Sequence, residues 1–128
     1  MKRQTGQWVR KAEEDWLGAR DLAGRKPPLR DLVCFHDQQA AEKYLKALLQ
    51  EAGAVVPKTH DLEDLLDLLL PHDATLRPLR RILQSLSRYA VDYRYPGTRA
   101  TTRQMASALR HTERVRREVR TRLGLPLD

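Results

Sequence analysis

Residues 29–52 constrain the fold more than any other stretch, because one uninterrupted helical repeat there is apolar on two opposite sides. Val33, His36, Ala40, Tyr44, Ala47 and Leu48 recur at steps of three and four, and Phe35, Leu45 and Leu49 fall on the opposite side of the same helix. A helix that is apolar nearly all round has to be covered on both faces. This segment is therefore expected at the centre of a bundle, or at the centre with one face forming a dimer seam through Phe35, Leu45 and Leu49.

Proline and glycine cut the chain into five such segments, with no repeat or long linker between them. Residues 5–25 place Trp8, Ala12, Trp16, Ala19 and Ala23 on one face and stop before Lys26-Pro27-Pro28. Gly53 ends the second segment. The third begins at Thr59-His60-Asp61, where Thr59 or Asp61 can cap the first turn, and runs to Pro71. Residues 74–90 carry Leu76, Leu79, Leu83, Leu86 and Ala90 at helical spacing, with Arg80, Arg81 and Arg88 off that stripe. An ordered loop around Tyr93-Arg94-Tyr95-Pro96 leads to the last segment, which opens at Thr101 with Gln104 as a capping-box partner and ends at Leu123-Gly124. Twenty-one Leu and 13 Ala against 7 Val, 1 Ile and 1 Phe favour helix over strand throughout. The expected fold is an all-α bundle of about five helices, and 128 residues suffice for one domain over 1–128.

The net charge of +7 is unevenly placed. Residues 1–70 hold 11 Lys/Arg and 12 Asp/Glu, whereas residues 71–128 hold 13 Arg and 5 Asp/Glu. The last segment's apolar face is Met105, Ala108, Leu109, Thr112, Val115 and Val119, and at about 100° per residue it lies opposite Arg103, Arg110, Arg114 and Arg117. That basic stripe is expected in solvent, where it can meet a phosphate backbone, an acidic protein or only water.

Several chemistries find no support. The six glycines form neither a GxGxxG nor a P-loop pattern, and His36, His60, His72 and His111 have no metal-ligand spacing with one another or with Cys34. No metal or cofactor is expected. Cys34, alone on a central helix, reads as a small buried hydrophobe rather than a nucleophile. The first 20 residues hold no apolar run of signal-peptide type, no stretch is long and apolar enough for a membrane span, and a lone cysteine fits a reducing compartment. A cytoplasmic location without membrane partners is expected.

The densest polar cluster lies on the second segment. His36, Gln39 and Lys43 share one side of the helix and could bind an anion or a base edge, or form a satisfied network inside the bundle. His60 and Asp61 stand at a helix start that favours an anion, although Asp61 can itself cap that end. Arg94 flanked by Tyr93 and Tyr95 suits a phosphate with a stacked base, or else the tyrosines pack the loop. For ribonuclease chemistry the one close pair is Arg30 and His36, five residues lying between them.

The run from Cys34 through His36, Asp37, Gln38, Gln39, Glu42, Lys43 and Tyr44 to Leu49, then Thr59-His60-Asp61-Leu62, then Tyr93-Arg94-Tyr95-Pro96, closely resembles the HEPN domain family (higher eukaryotes and prokaryotes nucleotide-binding). The resemblance covers nearly the whole chain. It implies a bundle of about five helices, homodimers, and a small prokaryotic protein encoded beside a minimal nucleotidyltransferase, as a two-component enzyme or a toxin–antitoxin pair. Ribonuclease members carry an arginine, four to six residues, then histidine late in the bundle. Here the only late histidine is His111, the positions that would need the arginine are Gln104, Met105 and Ala106, and Arg103 misses by one place. The resemblance therefore implies the non-catalytic branch, with shared polar positions at His36, Gln39, Lys43, His60, Asp61, Tyr95 and Pro96.

Three functions remain open at this level. The first is a non-catalytic module that binds a nucleotide or a nucleotidyltransferase partner, with Lys43 and Arg94 on phosphate and Tyr95 on a base. The second is a ribonuclease toxin using Arg30 and His36. The third is a basic docking module for RNA or an acidic protein.

Overall fold

The computed structural model describes the backbone of residues 1–92 and 95–128 and the side chains of residues 1–89 and 95–128. Among them every regular element is helical: α1 (Arg3–Ala23), α2 (Arg30–Glu51), α3 (Leu62–Leu69), a 3-10 turn (Ala74–Leu79), α4 (Arg80–Asp92) and α5 (Thr102–Leu123). Helix α2 packs against each of the other four, so it is the central helix that its two apolar sides require.

The local signals act where they stand. Asp61 caps α3 by accepting from the N–H groups of Glu63 (2.9 Å) and Asp64 (3.1 Å). Thr101 and Gln104 make the reciprocal capping box of α5, at 3.0 and 2.8 Å. Gly124 closes that helix at φ 71°, a left-handed conformation that glycine adopts without strain. Asp61→Ala is expected to cost about 1 kcal/mol, the usual worth of such a cap, seen as a lower urea midpoint at an unchanged slope.

Two expectations need correction. Residues 74–90 do not form one helix. Pro78 has no N–H to give Ala74, so the chain makes a 3-10 turn capped by Asp73 and enters the α-helix only at Arg80. Leu76, Leu79, Leu83 and Leu86 are buried as their spacing predicts, while the side chain of Ala90 lies outside the described residues. The second correction concerns the dimer seam. Leu45 and Leu49 are fully buried in the same core cluster as Leu62, Leu65 and Leu66 of α3 and Leu83 and Leu86 of α4. Both leucines are spent inside the chain, and only Phe35 of the proposed three keeps exposed surface.

Candidate functional site

Helix α1 runs antiparallel to α2, with Thr5 bonded to Glu51 at one end and Asp15 opposite the middle of α2. That pairing creates a cluster that spacing along α2 alone could not show. His36 Nδ1 lies 2.8 Å from Asp15 Oδ1, and Lys43 Nζ lies 2.5 Å from Asp15 Oδ2. The side chains are 32% (His36), 24% (Lys43) and 13% (Asp15) exposed, so the cluster is open to solvent at its rim and enclosed at its carboxylate.

Gln39, between them in sequence, turns elsewhere. It donates to Gln38 Oε1 at 2.8 Å, and Gln38 donates to the His60 carbonyl at 3.1 Å. The His60 imidazole, 79% exposed, meets Glu42 at 3.0 Å, and Glu42 also holds the buried Lys46 at 3.1 Å. His60 thus belongs to the α2–α3 junction and not to the His36–Lys43 cluster. Asp61 is occupied as a cap, Tyr95 is exposed, and Arg94 and Tyr93 lie outside the described residues.

Arg30 and His36 are not brought together. Six positions along a helix amount to about 9 Å and some 240° of rotation. Arg30 Nε donates to Ala100 O before α5, whereas His36 is held by α1. His111 pairs with Ser107 one turn earlier at 3.1 Å, and burial first, then the Arg110 charge, holds its pKa below the usual value. Cys34 is fully buried and burial pushes its thiol up to about 12, so it carries almost no thiolate at neutral pH. Among the described residues no three His, Cys, Asp or Glu side chains gather as metal ligands, and no helix is long and apolar enough to cross a membrane.

The basic stripe is exposed at Arg103, Arg110, Arg114 and Arg117. Arg114 and Arg117 pair with Glu118 and Glu113 on their own helix, at 3.1 and 3.8 Å. The remaining charge on α5 is put to a different use. Arg116, with Arg120, grips Glu13 of α1, and Arg116 stacks 4.0 Å from the Trp16 ring centre. Neither Glu13 nor Asp15 was signalled beyond its position at the edge of the Ala12–Ala19 face of α1.

The HEPN domain family matches this chain over residues 5–122. The crystal structure of TT1696 from Thermus thermophilus is 25% identical, covering 94% of this chain and 98% of that one, with a TM-score of 0.80. The crystal structure of ST0689, an archaeal HEPN homologue, is 27% identical, covering 96% and 99%, with a TM-score of 0.70. No curated protein matches the chain.

Proposed function

The chain belongs to the HEPN domain family, and from that premise we propose that it is a non-catalytic nucleotide- or substrate-binding partner of a minimal nucleotidyltransferase. It works as a homodimer in a prokaryotic cytoplasm, within a two-component or toxin–antitoxin pair. The observation that carries this reading is the convergence of Lys43 and His36 on the two oxygens of Asp15. Two donors already aimed at a pair of oxygens on one anionic group suit a phosphate, which offers a similar pair with more charge. Asp15 holds them in place until the ligand displaces it. Gln104, Met105 and Ala106, standing where ribonuclease members need an arginine, and the separation of Arg30 from His36 speak against catalysis.

Calorimetric titration with ATP, GTP and other nucleotides tests this. Lys43→Ala is expected to weaken binding about tenfold, roughly 1.4 kcal/mol, and Asp15→Asn to tighten it by removing the competing carboxylate. Arg94→Ala is expected to weaken it as well. Absence of saturable binding at millimolar ligand, or a Lys43→Ala titration identical to the parent, would sink the reading.

A docking role for α5 is the second reading. Arg103 and Arg110 are exposed and, among the described residues, have no ion-pair partner. It requires affinity for RNA or an acidic protein that falls steeply with salt and is lost with these arginines.

A further inference from the structure

A cavity of about 350 Å³ opens where the α1–α2 turn meets the segment leading into α5, away from the His36–Lys43 cluster. Its lining is part apolar, through Pro27, Pro28 and Leu32, and part polar, through Arg30, Asp31 and Arg99. A two-bond clasp fixes the polar part. Arg30 Nε donates to Ala100 O at 2.6 Å, and Ala100 N donates to Asp31 Oδ1 at 2.8 Å. Ala100 is itself 1% exposed, so the clasp is anchored in the bundle.

The clasp uses only one of the guanidinium's nitrogens. Among the described residues, the two terminal nitrogens of Arg30 and the whole Arg99 guanidinium have no hydrogen-bond or ion-pair partner. Two guanidinium groups, Arg30 and Arg99, therefore line the cavity against the single carboxylate of Asp31. Arginine cannot shed its proton, so the cavity keeps this positive charge at every physiological pH, and its forked donors match the oxygens of a phosphate. The apolar part adds a second requirement. Leu32 is 46% exposed at the cavity and Leu29 39%, surface that an organic group would cover. The volume is at the small end for ligand sites, which suits the end group of a small molecule and not a polymer running through.

We propose that this cavity binds the terminal phosphate of a small organic phosphate, with Arg30 and Arg99 on the phosphate oxygens and Pro27, Pro28 and Leu32 against the organic part. A terminal phosphate is favoured over an internal diester because it carries up to two charges and offers three free oxygens to the two arginines.

Phenyl phosphate, inorganic phosphate and an unphosphorylated single-stranded RNA serve as probes, titrated into the full chain by calorimetry. Phenyl phosphate is expected to bind saturably and more tightly than inorganic phosphate, and the RNA not to compete with it. Arg99→Ala should weaken phenyl phosphate at least fivefold, and Leu32→Glu, which sets an anion in the apolar part, at least tenfold. Both positions are exposed, so thermal unfolding should stay near that of the parent, and Lys58→Ala, an equal loss of charge elsewhere on the surface, should leave the affinity unchanged. The proposal fails if phenyl phosphate does not bind, if Lys58→Ala weakens it as much as Arg99→Ala does, or if the RNA displaces it. Phenyl phosphate carries no base, so these outcomes leave the nucleotide titration at Lys43 to be judged separately.

Discussion

Asp37→Asn is expected to stabilise the chain at pH 7 by about 4 kcal/mol and to remove the loss of stability that this carboxyl causes between about pH 4 and pH 8. Asp37 is fully buried on α2, and among the described residues neither carboxyl oxygen has a hydrogen-bond partner. Thr112 of α5 is close, but its hydroxyl donates to the Asp37 main-chain carbonyl at 3.2 Å. Burial pushes the carboxyl up to about 8, with the nearby Thr112 hydroxyl and then the charge of Arg20 on α1 pulling the other way. The folded chain therefore keeps a proton that the unfolded chain loses near pH 4. Stability falls as pH rises through that interval and levels off above about 8. Asparagine keeps the shape without the ionisation, and about three pH units at roughly 1.4 kcal/mol each give the size of the gain at pH 7. Urea unfolding at pH 5, 7 and 8.5 measures it directly. If parent and variant unfold in parallel at all three, the carboxyl is not carrying a trapped proton.

Glu13→Ala is expected to cost about 3 kcal/mol, the low end of the usual loss when one partner of a buried ion pair is removed, because Arg116 is buried while Glu13 keeps 21% exposure. One carboxylate there joins three helices. Glu13 Oε2 accepts from Tyr44 Oη at 2.6 Å and Arg116 Nε at 2.9 Å, while Oε1 accepts from Arg116 Nη2 at 3.1 Å and Arg120 Nη1 at 2.5 Å. Arg116 and Arg120 also hold the last residues, through Leu127 O at 3.1 Å and Pro126 O at 2.5 Å. Without Glu13, Tyr44 at 0% exposure and Arg116 at 4% lose their main acceptor. Burial alone would raise the Glu13 carboxyl, but hydrogen bonds and charge from Arg116, with Tyr44 and Arg120, outweigh it and hold the pKa below the ordinary value. The clasp therefore contributes fully above the carboxylate's unfolded pKa and is lost as pH falls through the lower folded value. A midpoint shift worth less than about 1 kcal/mol for Glu13→Ala would mean that the clasp carries no net stability. Glu13→Leu combined with Arg116→Met should recover part of the loss, because it removes the more buried of the two arginine charges together with its partner and leaves only Arg120 without its carboxylate.

These two carboxylates mark the limit of what the sequence makes legible. Asp61, Thr101 with Gln104, and Gly124 act within three or four residues of themselves, and each does in the structure what its local pattern predicts. Pro78 was equally local, but its leucines fit helical spacing on both sides and concealed the 3-10 turn. Of the candidate ligand residues, His36 and Lys43 come together, whereas Gln39 turns to Gln38, His60 to Glu42, and Asp61 to its own helix. Asp15, which joins the first two, lies 21 and 28 residues from them.

By itself the sequence determined an all-α chain, the central place of residues 30–51, the caps, and the outward stripe of Arg103, Arg110, Arg114 and Arg117, all properties of single helices. Tertiary structure decided what Leu45 and Leu49 face, which arginines of α5 point inward to Glu13, and that Asp37 is enclosed without a partner. The reason is register. A one-residue slip of α1 against α2 turns each side chain by about 100° and moves it about 1.5 Å, enough to part Asp15 from both His36 and Lys43, and neither helix read singly says which residue of the other stands opposite it.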